Sequence, residues 1–351
     1  MDGGSENSAF DGRRQPERPG EPAWSGYALA PATYAVSARN RKLSMKPFGG
    51  RTHSRLHFLR FLCLGVVLIF LRARGDAQSR TDCGVVHSRI IEQTVHYCAQ
   101  LPSDYDAKDA KSRRYPLLYF LHGLGQNEQT LFSTGGWSLI EDLRRQHKIS
   151  EFLIVSPEAK RTFYINSADN SLRYSDFFLQ EFMPYIEAKY RVRPGRQARA
   201  VTGVSMGGYG ALRFAFAHPE LFGTVSAQSP ALITQAPQEL NAAAQSGTSL
   251  GKVLGPAFGQ PINPLHWKQN SVFELAKKNQ AGARKLAIYF NCGQQDDFGF
   301  EDGAAALHQQ LQAEGIKHEY HSYPGDHSLT YFLSHMGEVM EFHSRAFAEQ
   351  K

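Results

Sequence analysis

Residues Gly203-Val204-Ser205-Met206-Gly207 join an apolar run, 198–204, to a helix-like stretch that continues to His218, and this junction constrains the fold more than any other feature of the chain. A strand that turns into a helix within one residue forces the central residue into a strained backbone. Glycines two before and two after it remove the side chains that would collide. The Ser205 hydroxyl then stands out at the edge of a sheet, placed to act as a nucleophile. A Gly-x-Ser-x-Gly run arises readily by chance in 351 residues with 31 glycines, so its surroundings must supply the argument.

A serine hydroxyl is a weak nucleophile until a histidine takes its proton and a carboxylate orients that histidine. With the serine on such a turn, the chain order is serine, acid, histidine. Downstream, the apolar run 285–292 ends in Gly293-Gln294-Gln295-Asp296-Asp297, and the run 318–323 leads into Pro324-Gly325-Asp326-His327 and a long amphipathic stretch, 328–348. His327 is therefore expected as the base, with Asp296 or Asp297 as the acid. His335 and His343 fall inside the final helical stretch, His321 falls mid-strand, and Asp326 adjoins His327 too closely to face it. Upstream, the run 114–121 ends in His122-Gly123-Leu124-Gly125. That placement offers the N–H of Leu124, beside that of Met206, as an oxyanion hole, with His122 tying the loop down. The loop 161–166 after the strand ending at Ser156 presents Tyr164 and Asn166, either to substrate or as loop caps.

At these residues the chain resembles the esterase family of α/β-hydrolases that includes S-formylglutathione hydrolases, feruloyl and acetyl-xylan esterases, tributyrin esterases and mycolyltransferases. The stretches that carry the resemblance are His122-Gly-Leu-Gly125, Ser205-Met-Gly-Gly-Tyr-Gly-Ala211, Cys292-Gly-Gln-Gln-Asp-Asp-Phe298 and Tyr323-Pro-Gly-Asp-His327, and the match spans about Cys83 to Phe347. The resemblance implies a Ser205–His327–Asp296 triad, because the family's acid stands three residues after the glycine that ends its strand. It also implies an acyl-enzyme mechanism without a cofactor. The chain departs from the family at Ser328-Leu-Thr-Tyr331, where relatives often carry tryptophan, so the shape of the substrate pocket is not carried over.

Three regions are expected: an N-terminal extension that is disordered or lies before the true start, 1–44; a secretory signal peptide, 45–77; and one catalytic domain, 78–351. Basic residues from Lys46 to Arg60 precede the short apolar core 61–71, and Gly75 and Ala77 offer small side chains for cleavage. Eleven apolar residues fall short of the roughly 20 that span a bilayer, so no stable membrane anchor is expected after cleavage. The net charge of +6 resides in residues 1–77, with 12 Lys+Arg against 6 Asp+Glu, and leaves 78–351 balanced at 27 of each. A neutral domain gives no electrostatic footprint for nucleic acid. Within it Cys83 and Cys98 flank a pair of strand-like runs and are expected to form a disulfide, whereas Cys292 is expected to be a buried strand thiol. No His/Cys cluster has metal-ligand spacing.

Strand signals at 85–97, 115–121, 152–156, 198–204, 223–228, 285–292 and 318–323 alternate with helical patterns at 137–147, 175–190, 208–218, 303–314 and 328–348. Such alternation builds an α/β fold with a mainly parallel sheet covered on both faces, here the α/β-hydrolase fold. The stretch 234–275 breaks the rhythm and reads as an insertion over the site. The expected protein is a secreted or periplasmic serine carboxylesterase for short-chain or aromatic acyl esters of carbohydrates or small alcohols. The rival readings are a thioesterase of the S-formylglutathione hydrolase kind, an acyltransferase, and a catalytically silent binding module.

Overall fold

The computed structural model describes residues 79–245 and 249–349. The expected extension and signal peptide lie outside the described residues. Eight strands form one sheet: β1 (Thr81–His87), β2 (Thr94–Gln100), β3 (Leu117–Leu121), β4 (Leu153–Pro157), β5 (Arg199–Gly203), β6 (Thr224–Gln228), β7 (Ala287–Gly293) and β8 (Glu319–Tyr323). Their order is β1-β2-β4-β3-β5-β6-β7-β8. The chain opens with an antiparallel hairpin at one edge, β2 pairs antiparallel with β4, and from β4 onward every pairing is parallel.

Strand periodicity divides the apolar residues between two layers. In β3, Leu117, Tyr119 and Leu121 enter the core on one face while Leu118 and Phe120 enter the other; in β7, Ile288, Phe290 and Cys292 oppose Tyr289 in the same way. The first layer is built with the helical segments 174–189 and Met206–Ala217. The second is built with Gly136–Arg145 and Leu329–Glu349. Helix 174–189 is not regular: a π turn at Phe178–Phe182 interrupts it, and Phe178 stacks on Phe214 with ring centroids 4.6 Å apart. Cys83 and Cys98 are directly opposed across β1 and β2 and are joined by a disulfide, while Cys292 is a buried free thiol.

The insertion is more ordered than its composition suggested. It folds into the short helices Pro237–Gln245, Ser249–Phe258, Pro264–Asn270 and Val272–Lys278. Helices of two or three turns give little periodic signal, and side-chain caps start two of them. Asn263 accepts from the N–H groups of Leu265 and His266, and Ser271 from that of Glu274. Val272, Leu275 and Ala276 are buried on the last of these helices, which packs against Met206–Ala217.

Candidate active site

The parallel strands β3, β5 and β7 all end on one edge of the sheet, and the sequence-predicted groups sit in the loops that leave it. Ser205 holds φ 55° and ψ −118° between the end of β5 and the helix that starts at Met206. A non-glycine residue there costs about 1–3 kcal/mol and persists only where its surroundings over-determine it. They do so here: the Ser205 N–H donates to Gln228 O at 2.9 Å, and Ser205 O accepts from Tyr209 and Ala231 N–H, each at 3.0 Å. A Cβ on Gly203 would strike the Gly207 backbone, and one on Gly207 would strike the Leu121 and His122 carbonyls, so both glycines are sterically required. Among the described residues the Ser205 hydroxyl has no hydrogen-bond partner; serine–histidine contacts often tighten only when substrate arrives.

Asp296 and His327 come together. His327 Nδ1 lies 2.6 Å from Asp296 Oδ2, with the aspartate side chain fully buried and the histidine side chain 7% exposed. A charge-assisted hydrogen bond of this length fixes Nδ1–H as the donor and turns the Nε2 lone pair outward. The other oxygen, Oδ1, accepts the Phe298 N–H at 3.1 Å. Asp297 does a different job: it is exposed, and its Oδ2 accepts the backbone N–H of His327 at 3.2 Å. The loops are laced further by Gln294 N–H to Tyr323 O and Gln295 N–H to Gly325 O, at 2.8 and 2.9 Å. Asp326 is exposed in the turn.

Met206 follows Ser205 directly, and the loop that carries Leu124 approaches the serine through Gly123. Met206 is the first residue of its helix, so its N–H has no intrahelical acceptor. The Leu124 loop is braced against the serine: a Cβ on Gly123 would stand 3.5 Å from Ser205 Cβ, and the Gly123 N–H donates to Gln126 Oε1 at 2.9 Å. His122 ties this loop down. Its Nδ1 donates to Gly123 O at 2.8 Å and its Nε2 accepts the Ala159 N–H at 2.9 Å. Burial holds the ring neutral, with a pKa lowered to about 4.

Tyr164 is not where a substrate-contact residue should be. It is fully buried, and its hydroxyl donates to His122 O at 3.0 Å. The ring therefore supports the Leu124 loop from beneath and has no surface to offer a ligand. Asn166 is half-buried, and its side chain accepts the Asp176 N–H at 3.1 Å, which makes it a loop cap. The rival histidines sit elsewhere: His343 is buried with Nε2 on Ser226 Oγ at 2.8 Å and a pKa lowered to about 3 by burial, and both His321 and His335 stack on Tyr323. Burial, followed by the nearby Asp296 charge, pushes the Cys292 thiol up to about 12, so it is no nucleophile at neutral pH.

Three aromatic rings around His327 were not singled out from the sequence. Phe298, Phe332 and Phe300 have centroids 4.8, 5.2 and 5.4 Å from the imidazole, all near perpendicular to it. The spacing of Phe298 two residues after Asp296 was visible, but nothing in it announced that the ring returns to the histidine. An apolar cavity of about 30 Å³ is lined by Phe163, Tyr209, Ala231, Leu254, Phe258 and Trp267 among others; of these Tyr209 and Ala231 bond the Ser205 backbone, and no triad residue lines it. Among the described residues no three His, Cys, Asp or Glu side chains gather to hold a metal, and no helix is long and apolar enough to cross a membrane.

The family model described as "Putative esterase" matches residues 88–342. An acetyl esterase of Caldicellulosiruptor saccharolyticus is 25% identical over 268 residues, covering 74% of this chain and 96% of that one. An esterase of Mycobacterium tuberculosis is 28% identical over 244 residues, covering 65% of this chain and 51% of that protein, so the match spans about half of that relative. A solved ferulic acid esterase superposes with a TM-score of 0.64 at 26% identity, covering 77% of this chain and 99% of its own.

Proposed function

The chain belongs to this esterase family and is a carboxylic ester hydrolase, and from that premise we propose that it is a secreted enzyme cleaving short-chain or aromatic acyl esters of carbohydrates or small alcohols through Ser205, His327 and Asp296. The observation that carries the triad is the buried 2.6 Å contact between Asp296 and His327 on the sheet edge that also holds the strained Ser205.

The steps follow from that geometry. His327 Nε2 takes the proton as Ser205 Oγ attacks the ester carbonyl, and Asp296 stabilises the imidazolium that forms. The Leu124 and Met206 N–H groups receive the developing oxyanion, a contribution worth about 3–4 kcal/mol per donor in hydrolases of this kind. His327 then protonates the leaving alkoxide. Water, activated by the same histidine, releases the acyl group and restores the serine.

Secretion is supported by the basic, short-apolar, small-residue pattern of 45–77 and by the Cys83–Cys98 disulfide, a bond suited to an oxidising compartment. A short or flat acyl group is supported by the small aromatic-lined cavity and by the acetyl esterase and ferulic acid esterase among the relatives. A fluorophosphonate probe should label the protein and fail to label Ser205→Ala. On p-nitrophenyl esters kcat/KM should fall once the acyl chain passes about four to six carbons. Labelling that survives Ser205→Ala would overturn the nucleophile. A preference for chains of twelve carbons or more would overturn the substrate class.

A further inference from the structure

We infer that Ser229 and Cys292 form a buried relay that positions the triad acid: the Ser229 hydroxyl donates to Cys292 Sγ, and the Cys292 S–H donates to Asp296 Oδ2. The inference rests on the esterase reading above and adds to it what holds the acid from within the core.

The sheet brings the three side chains together. β6 and β7 run parallel with Gln228 beside Asn291, so the residues that follow, Ser229 and Cys292, are neighbours at the edge that carries the site. Cys292 Sγ lies 3.6 Å from Ser229 Oγ and 3.7 Å from Asp296 Oδ2, hydrogen-bond separations for an atom as large as sulfur, and all three residues are buried. Ser229 holds φ 37° with no exposed surface, and its N–H donates to Asn291 O at 2.8 Å. Strain of this kind persists only where the surroundings fix it, and it gathers at functional sites. The same turn reaches the nucleophile, since Gln228 O accepts the Ser205 N–H and the Ala231 N–H donates to Ser205 O. One short segment therefore supports both ends of the triad.

The direction of the protons follows from the acceptors. A thiol has one proton, and a carboxylate is a stronger acceptor than a hydroxyl, so the S–H points to Oδ2 and the Ser229 proton to sulfur. Burial, followed by the Asp296 charge, pushes the thiol up to about 12, so the proton stays on sulfur at neutral pH. Oδ2 then accepts from His327 Nδ1 and from Cys292, while Oδ1 accepts the Phe298 N–H. The carboxylate cannot rotate without losing these donors. A donor to the ionised form of a carboxylate also makes it less basic. Without the S–H, Asp296 would hold the imidazolium proton more tightly, and His327 would need a higher pH to become the free base that takes the Ser205 proton.

The test reads the acid limb of kcat/KM against pH, which a packing role would not move. The intact protein and the variants Cys292→Ser, Cys292→Ala, Cys292→Val and Ser229→Ala are assayed on p-nitrophenyl acetate, beside thermal unfolding. The Ala and Val variants at 292 lack the donor, and their acid limb should move up by about half a pH unit, the low end of what one neutral hydrogen bond is worth. Their kcat should fall severalfold with KM little changed. Cys292→Ser restores a donor and should return the limb toward that of the intact protein, and Ser229→Ala should shift it upward by less than Cys292→Ala. The other ionisable groups near the thiol, Glu301, Tyr320 and Tyr331, are the same in every variant, and burial raises both tyrosines. Acid limbs that coincide in the intact, Ala and Val proteins, whatever happens to Tm, would mean that Cys292 only packs and would overturn the inference. A Ser variant shifted as far as Ala would overturn it too. Failure of a fluorophosphonate to label Ser205 in the intact protein is a different result, which would remove the triad reading itself.

Discussion

Replacing Asp296 by asparagine separates orientation from folding, because the amide is isosteric with the carboxylate and its hydrogen bonds dictate how it must sit. The Phe298 N–H already donates to Oδ1 at 3.1 Å and requires an oxygen there. The asparagine NH2 must then occupy the Oδ2 position, 2.6 Å from His327 Nδ1. Two donors cannot face each other, so Nδ1 becomes an acceptor and the imidazole proton moves to Nε2. An Nε2–H cannot take a proton from Ser205. In a triad built this way that inverted tautomer lowers kcat by roughly 10³ to 10⁴, or about 4–5.5 kcal/mol of barrier. Asp297→Asn is the internal control: its amide oxygen can still accept the His327 backbone N–H, and the loss should stay below about tenfold. Steady-state kinetics on p-nitrophenyl acetate, beside thermal unfolding to show that both variants fold, measure the two effects. The reasoning fails if Asp296→Asn keeps kcat within tenfold of the intact protein, or if Asp297→Asn is the more damaged of the two.

Other consequences can be checked independently. His122 and His343 are buried neutral, with pKa values lowered to about 4 and about 3. Because their folded values lie below the unfolded value of about 6.5, their contribution to stability is complete above pH 6.5 and is lost as pH falls toward 4, at about 1.4 kcal/mol per pH unit for each. Urea midpoints measured from pH 7 to 4.5 should fall accordingly, and His343→Gln should remove about half of that slope; an unchanged slope would refute the assignment. The Cys83–Cys98 bond closes a loop of 15 residues and should contribute on the order of 3 kcal/mol, so reduction should lower the unfolding free energy by that amount, and denatured protein spanning 78–351 should show one free thiol. Tyr164→Phe removes the hydroxyl that binds His122 O, which should lower stability by about 1–3 kcal/mol and reduce kcat more than it raises KM; a selective rise in KM would return Tyr164 to the substrate.

The sheet and the edge that carries the site were legible because both depend on short-range pattern. Runs such as 115–121 and 285–292 alternate faces residue by residue, and a glycine, Gly123 or Gly293, follows within two residues where the chain leaves the sheet, so strand identity and site position are written together. The order of serine, acid and histidine then follows from the connections. What could not be read was the direction of side chains in loops. An aromatic residue after a strand looks like a ligand contact, but Phe163 and Tyr164 take successive left-handed conformations, φ 50° and 59°, and the tyrosine ring turns into the core against Gly210. Composition holds no trace of that turn, since neither residue is one that favours positive φ.

The pair Asp296 and Asp297 shows the same limit at the level of chemistry. Two adjacent carboxylates at a strand end are equivalent in sequence, and only family spacing selected between them. In the structure they divide the work of holding one histidine: Asp296 is buried and takes the ring, and Asp297 is exposed and takes the backbone. The division is a consequence of burial. β7 ends at Gly293, and in the turn that follows only Asp296 is buried, while Gln294, Gln295 and Asp297 are exposed. An acid sealed from water holds its proton donor in one geometry, whereas an exposed one would exchange that contact with solvent. Two carboxylates that look redundant in the sequence are therefore expected to differ in effect by two orders of magnitude or more.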